Sequence, residues 1–180
     1  MSGTTELTLT TSHHLGLVAR DVAGTQYLTF SLAGEEYGVD ILKVQEIRGW
    51  APVTKVPNTP PFVRGVMNLR GAIVPVIDLR LRFGLEAMAY TKTTVVIVVT
   101  VQTAGGSRVV GAVVDGVSDV LNVDPATVQP APDFGTAVNT DFISGLVAVE
   151  SGMVMLLDVD RLLSVEEMFA LAVMPNQLAA

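Results

Sequence analysis

The sequence predicts a mainly β protein: two similar small β-barrels packed together, followed by a C-terminal α-helix. Three observations carry that prediction. Apolar residues recur at a period of two in short runs separated by turn residues, the mark of half-buried strands. The second half of the chain repeats the first in register. A helix-start signal lies near the end, where Ser164-Val-Glu-Glu167 forms a capping box with Ser at the N-cap and Glu at N3.

Residues 1–24 are rich in Thr, Ser and Gly without a sustained period and read as a flexible extension. The adjacent His13 and His14 fall in it, and two neighbouring histidines without further ligands make a weak metal site. From Gln26 the pattern is strand: Leu28, Phe30 and Leu32 alternate with Thr29 and Ser31. Ala33-Gly34-Glu35 supplies a turn, and Glu36–Asp40 returns as the hairpin partner. Val44–Arg48 is a further short strand. Pro57-Asn-Thr-Pro-Pro61 breaks the chain, with Asn58 or Thr59 placed to cap a brief helical turn. Val66–Leu69 and Ala72–Ile77 flank Asn68-Leu69-Arg70-Gly71, a tight connection in which Gly71 takes positive φ. Pro75 has no N–H for a ladder and belongs at an edge or bulge.

The repeat is read in two blocks. A shift of 80 lays Phe62-Val-Arg-Gly65 on Phe142-Ile-Ser-Gly145 and Ile73–Asp78 on Met153–Asp158. A shift of 73 lays Gly38, Val44, Glu46, Ile47 and Pro57 on Gly111, Val117, Asp119, Val120 and Pro130. The difference is absorbed in Asp133–Asp141, a polar loop. The expected organisation is a first barrel at 25–88, a second at 89–163, and a helix and tail at 164–180. Halves of only ~70 residues are small for independent cores, so the two pack and fold as one unit. Val165, Met168, Phe169 and Ala172 give the final helix an apolar stripe, and Pro175 ends it.

Composition narrows the function. The chain has 180 residues, 49% hydrophobic and 16% charged, with a mean hydropathy of +0.50, as expected of a globular protein. Cysteine is absent, which excludes disulfides, thiolate metal sites and cysteine nucleophiles. No histidine lies in the patterned body to act as a neutral-pH acid or base. A net charge of -7 disfavours nucleic acid. Apolar runs such as Val95–Val99 and Met153–Leu157 fall short of the ~20 residues that span a bilayer. With no signal-peptide pattern, the expected compartment is the cytoplasm without direct membrane insertion.

Asp78 and Asp158, equivalent in the repeat, resemble a carboxylate dyad only superficially. Neither is followed by the hydroxyl residue and glycine such a loop needs, and each reads as a strand end capping a short helical turn. Gly84 closes the first of these turns. No phosphate loop or nucleophile elbow is present, and Ala104-Gly-Gly-Ser107 reads as a hairpin turn. The repeat also acts as a filter. Positions alike in both halves serve the scaffold, as with Gly65/Gly145 and Gly38/Gly111. Positions unlike in charge are free for other work. Arg70 falls opposite Glu150 and Arg48 opposite Leu121. Arg70 projects from a tight turn among apolar strands, a composition suited to an interface anchor. Trp50 suits either core or contact surface.

Three long strings then carry a specific likeness: Tyr37-Gly-Val-Asp-Ile-Leu-Lys-Val-Gln-Glu-Ile-Arg-Gly49, Asn68-Leu-Arg-Gly-Ala-Ile-Val-Pro-Val-Ile-Asp-Leu79 and Val114-Asp-Gly-Val-Ser-Asp-Val-Leu121. From about Gln26 to Met168 the chain closely resembles the bacterial chemotaxis coupling proteins of the CheW family. The resemblance implies two SH3-like five-stranded barrels. It also implies a non-enzymatic adaptor linking the cytoplasmic tips of chemoreceptors to the histidine kinase CheA, through CheA's regulatory domain. In such ternary complexes the receptor state controls kinase autophosphorylation, and the cytoplasmic adaptor is recruited to membrane-bound receptor arrays. Catalytic, cofactor and metal residues are not expected.

Matching the family motifs residue by residue suggests Val44, Glu46, Gly65, Arg70, Gly71, Val117 and Val120 for partner contact or for shaping that surface. Arg70 and Glu46 lead, because their charges select a partner while neighbouring valines supply burial. Val44 and Val117 occur in both halves and suit core and interface equally. The expected binding mode pairs apolar barrel edges with the kinase's related barrel and seats a receptor helix tip between the barrels. Two other readings stand beside it: the same module in a non-motility chemosensory pathway, and a stand-alone ligand-binding double barrel with a deep pocket.

Overall fold

The computed structural model describes residues 24–132 and 140–164. Their strands are β1 (Thr25–Leu32), β2 (Glu35–Asp40), β3 (Val44–Gly49), β4 (Val63–Leu69), β5 (Ala72–Asp78), β6 (Val95–Thr103), β7 (Gly106–Val114), β8 (Gly116–Val123), β9 (Ile143–Val149) and β10 (Gly152–Leu157). Two short helices follow β5 and β10: α1 (Leu79–Arg82) and α2 (Val159–Leu162). The extension expected before Gly24, the loop around 133–139 and the helix expected after Ser164 lie outside the described residues.

The strands form two five-stranded sheets of one design, in the orders β8-β1-β2-β10-β9 and β3-β6-β7-β5-β4. Mainly β architecture and five strands per unit agree with expectation. Pairing runs from edge to edge without closing, so these are open sheets rather than closed barrels. The repeat is visible in the register. Gly38 pairs with Leu156 in the parallel β2–β10 ladder, and Gly111 with Val76 in the parallel β5–β7 ladder. Asp78 N–H donates to the Phe62 carbonyl at 2.8 Å, and Asp158 N–H to that of Phe142 at the same distance.

The expected division at residue 88 does not hold. Sheet two is contiguous from β3 to β7, whereas sheet one combines β1–β2 with β8–β10. Each half of the repeat thus lends its first hairpin to the other half's last three strands. Linker length compels this. Only Ile41–Lys43 separate β2 from β3, and only Asp115 separates β7 from β8. Remaining in its own sheet, β3 would lie beyond β1 and parallel to β2, and such a crossover takes a dozen or more residues. The chain must step to the facing sheet instead.

Burial follows the predicted alternation. Leu28, Phe30 and Leu32 face the largest core, shared with Ile97, Val99 and Val101 of β6, with Leu79 and with Val159, Leu162 and Leu163. On β6's other face, Val96 and Val98 join Leu69, Val74, Val76 and Val113. Both faces of β6 are covered, which explains its unbroken apolar run. A third core of Val123, Val147, Val154 and Leu156 lies in sheet one. A row of rings, Phe30, Tyr37, Phe83 and Phe142, with centroids 5.9, 5.4 and 5.1 Å apart, links β1 and β2 through the end of α1 to the start of β9; the outer pairs are stacked and the middle pair is tilted.

Local expectations fare unevenly. Asp78 accepts hydrogen bonds from the N–H groups of Arg80 and Leu81, and Asp158 from those of Asp160 and Arg161, so both aspartates are helix caps. Gly84, with φ +74, closes α1. Ala104-Gly105 forms the β6–β7 turn. Pro75 occupies an inner strand, but parallel pairing with β7 begins only at Val76, so no ladder bond is lost. The helical turn expected near Pro57 is absent. Asn58 takes φ +61, and the Thr59 hydroxyl donates to the Val56 carbonyl at 3.0 Å, which makes a tight turn there.

Candidate partner-binding surface

The β4–β5 hairpin is closed by Arg70-Gly71, with φ +51 and +86. Two consecutive left-handed residues match the twist of flanking strands, and glycine suits one of them at no steric cost. Arginine at the other is unusual: left-handed backbone costs a side-chain-bearing residue of order 1 kcal/mol. The Asn68 side chain holds the turn by accepting from Gly71 N–H at 2.9 Å. The equivalent β9–β10 turn, Glu150-Ser151, shows no positive φ at either residue. The scaffold therefore does not demand Arg70's conformation, which aims a guanidinium out of the hairpin tip.

That guanidinium meets Glu46 on β3 through Nη2 and Oε2. The other Glu46 oxygen lies 3.6 Å from Arg48 Nε. Arg70 is 75% exposed and Glu46 only 21%, so the carboxylate sits beneath an outward-facing cation. Glu46 and Arg70, the leading expectations, are thus brought together, with Gly71 beside them.

Gly65 belongs to the scaffold beneath. A Cβ there would lie 2.2 Å from the Thr54 carbonyl oxygen, and φ is +143. Backbone bonds of 2.9 and 2.8 Å tie Thr54 to Val66, pressing this segment against β4. Val44 is half-buried against the shared core. Val117 and Val120 lie on β8, the edge of the other sheet, apart from the hairpin. Val120 and its repeat mate Ile47 are both 44% exposed and Val117 is exposed beside Val120, so β3 and β8 each show apolar surface to solvent. Trp50 packs on Tyr90 with ring centroids 4.2 Å apart, so it is partly core.

Sequence reasoning missed the seam between the sheets. Arg80 on α1 grips Asp115 with two bonds of 2.6 Å, and Asp115 also accepts from Ala33 N–H at 2.9 Å. The guanidinium beside it holds the Asp115 carboxyl below the ordinary carboxylate range. The repeat mate of Arg80 is Asp160 on α2, which pairs with Lys43 at 3.0 Å and accepts from Gln102 N–H at 2.8 Å. Each junction is thus pinned by one ion pair, with polarity reversed between halves. Arg80 opposite Asp160 is the same charge contrast that singled out Arg70, so the signal was present. Tyr90 donates to Asp78 at 2.7 Å, and its hydroxyl pKa is raised, first by burial and then by that carboxylate.

A hollow of about 200 Å³ opens beside Arg48, lined by Pro52, Val53, Val66, Met67, Asn68 and Val96 among others. A smaller cavity of about 70 Å³ lies at Asp78, Arg80 and Tyr90.

Residues 26–167 match the CheW-like domain family. The chain belongs to that family. It is 50% identical over 151 residues to the chemotaxis protein CheW of Klebsiella aerogenes, covering 84% of this chain and 89% of that relative. Identity to the chemotaxis protein CheW of Rhizobium meliloti is 40% over 144 residues, covering 80% and 90%. Among solved structures, the scaffolding protein TtCheW from Thermoanaerobacter tengcongensis aligns with a TM-score of 0.68 at 35% identity, over 77% of this chain and 87% of that one. Apart from Thr25 at the start of β1, all five strands of each sheet in this CheW-like domain fall within the matched range. Among its described residues, no helix is long and apolar enough to cross a membrane.

Proposed function

We propose that this protein is the adaptor of a chemotaxis signalling complex, coupling chemoreceptors (methyl-accepting chemotaxis proteins) to the histidine kinase CheA. It performs no chemistry of its own. It is recruited from the cytoplasm to membrane-bound receptor arrays, where receptor state sets kinase autophosphorylation through the ternary complex. The proposed contact residues are Arg70 and Glu46 with Gly71 and Val44 on one sheet, Val117 and Val120 on the edge strand of the other, and Gly65 shaping the support.

The observation that carries this reading is Arg70, held left-handed at a hairpin tip where the repeat does not require it and paired with a carboxylate beneath. Uncommon backbone maintained around an exposed charge marks a site rather than a scaffold. Unpaired edges on β3 and β8, each with an exposed apolar residue, suit pairing with a related sheet. A drug-sized ligand takes 300–1,000 Å³ of enclosing pocket. The 200 Å³ hollow and the 70 Å³ cavity fall short of that size, and a further hollow of about 380 Å³ beside Thr25, Gln26, Asp40 and Asn122 is open and mostly polar rather than an enclosing apolar pocket.

The test is co-sedimentation of the purified protein with receptor-bearing membranes and CheA, with autophosphorylation followed in the same samples. Adaptor-dependent recruitment and a rise in phosphorylation, both lost in Arg70→Glu, are expected. A folded wild-type protein that recruits neither component overturns the reading.

A further inference from the structure

Glu46 is shared. One carboxylate oxygen belongs to Arg70 and the other faces Arg48, so the cluster of three side chains carries one surplus positive charge. Its outermost member is the most exposed, and its carboxylate is the least. A single carboxylate paired only with Arg70 would hold that guanidinium in place, and withdrawing it would strand a partly buried negative charge. With Arg48 already beside Glu46, the carboxylate keeps a cation when Arg70 turns away. Arg70 is then free to offer its remaining N–H donors to a second carboxylate in two-pronged geometry.

Arg48 has a second neighbour. It borders the hollow of about 200 Å³ whose wall includes Pro52, Val53, Val66, Met67 and Val96. That volume is several times the roughly 30 Å³ of a water molecule, and its wall is part apolar and part polar. Asn68, which fixes the Arg70 turn, borders the same hollow.

We propose that Arg48 is a positioning residue that keeps Arg70 available, and that the surface so formed accepts a partner segment with a carboxylate adjacent to a large apolar side chain. The carboxylate meets the Arg70 guanidinium, and the apolar side chain enters the hollow beside Arg48. This rests on the adaptor reading above and adds to it the chemistry of the partner segment.

The experiment has two arms. Capture by receptor-bearing membranes with CheA is measured for wild type, Arg48→Ala, Glu46→Gln and the double variant. Arg48→Ala is expected to weaken capture about tenfold with an unchanged melting temperature, because Glu46 then holds Arg70 alone. Adding Glu46→Gln to Arg48→Ala removes the carboxylate that holds Arg70, so the Arg70 side chain should regain at least its wild-type mobility. A double variant in which Arg70 stays as rigid as in Arg48→Ala overturns the proposal, as does undiminished capture by Arg48→Ala. The second arm needs no partner: 15N relaxation of the Arg70 side chain in the free protein. Arg48→Ala should make Arg70 more rigid, and unchanged mobility overturns the proposal even where capture fails for every variant. Failure of wild-type capture alongside the expected rigidification removes the adaptor reading while leaving the shared carboxylate intact.

Discussion

Arg80 and Asp115 form a two-pronged ion pair across the seam between the sheets, Nε to Oδ1 and Nη2 to Oδ2, each at 2.6 Å. Arg80 is only 13% exposed. Removing one partner therefore leaves the other short of water and of countercharge. Arg80→Ala should cost about 3 kcal/mol, the low end for breaking a buried pair. Arg80→Lys should recover only part of it, because an ammonium cannot reproduce the fork. Urea unfolding of the three proteins measures both.

The same pair sets a pH dependence. Asp115's folded pKa is lowered from its ordinary 3.8, chiefly by the Arg80 hydrogen bonds. A carboxylate with a depressed folded pKa stabilises the fold fully above the unfolded value and loses that contribution as pH falls through the folded one. The stability gap between wild type and Asp115→Asn should be constant above about pH 5 and shrink below about pH 4. Denaturant titrations at stepped pH would expose a gap that fails to shrink.

Two glycines at the hairpin separate strain from contact. Gly71→Ala meets nothing within 4 Å and incurs only the left-handed backbone cost, about 1–2 kcal/mol. Gly65→Ala drives a methyl into the Thr54 carbonyl and should cost about 3 kcal/mol or more. Thermal melts should rank them in that order, with binding in Gly65→Ala lost in step with the fold.

Arg70→Glu places a second carboxylate beside Glu46, yet exposed ion pairs contribute only about 0.2–1 kcal/mol. Stability should change by less than about 1 kcal/mol while partner capture disappears. A cooperative melt matching wild type, beside failed co-sedimentation, is the expected result.

The exchanged hairpins make a sharper claim about fragments. Residues 25–88 and 89–163 are the two repeats, yet neither contains a complete sheet. Each alone should be unfolded by circular dichroism, and mixing them should restore the β signal. Independent folding of either half would contradict the pairing described above.

The sequence made strand identity, hairpin turns, both aspartate caps and the repeat legible because all are local or self-similar. Alternation at Leu28, Phe30 and Leu32 is dictated by which face is buried, and Gly71 by one turn. The exchange between halves was not legible by the same means. A repeat states which segments are alike but not which copy pairs with which, and the deciding fact was the short link from Asp40 to Val44. Arg70 and Glu46 could be singled out by charge contrast and family likeness, but their contact joins residues 24 apart on different strands. Arg80 and Asp115 were overlooked because a cap residue's neighbour draws no notice until the seam it spans is known.

The interleaved order of strands also bears on the protein's birth. Sheet two can be completed once β7 has left the ribosome, since all its strands lie between Val44 and Val114. The first hairpin must wait for β10, whose last residue is Leu157. At translation speeds of roughly 5–20 residues per second, that wait lasts on the order of ten seconds. Once Val114 is made, Leu28, Phe30 and Leu32 have sheet two to rest against but still no finished sheet of their own. The earliest strands made are among the last to be fully seated, and a nascent chain halted between Val123 and β10 can pair β1 with β8 but leaves the β2 edge of its first hairpin open.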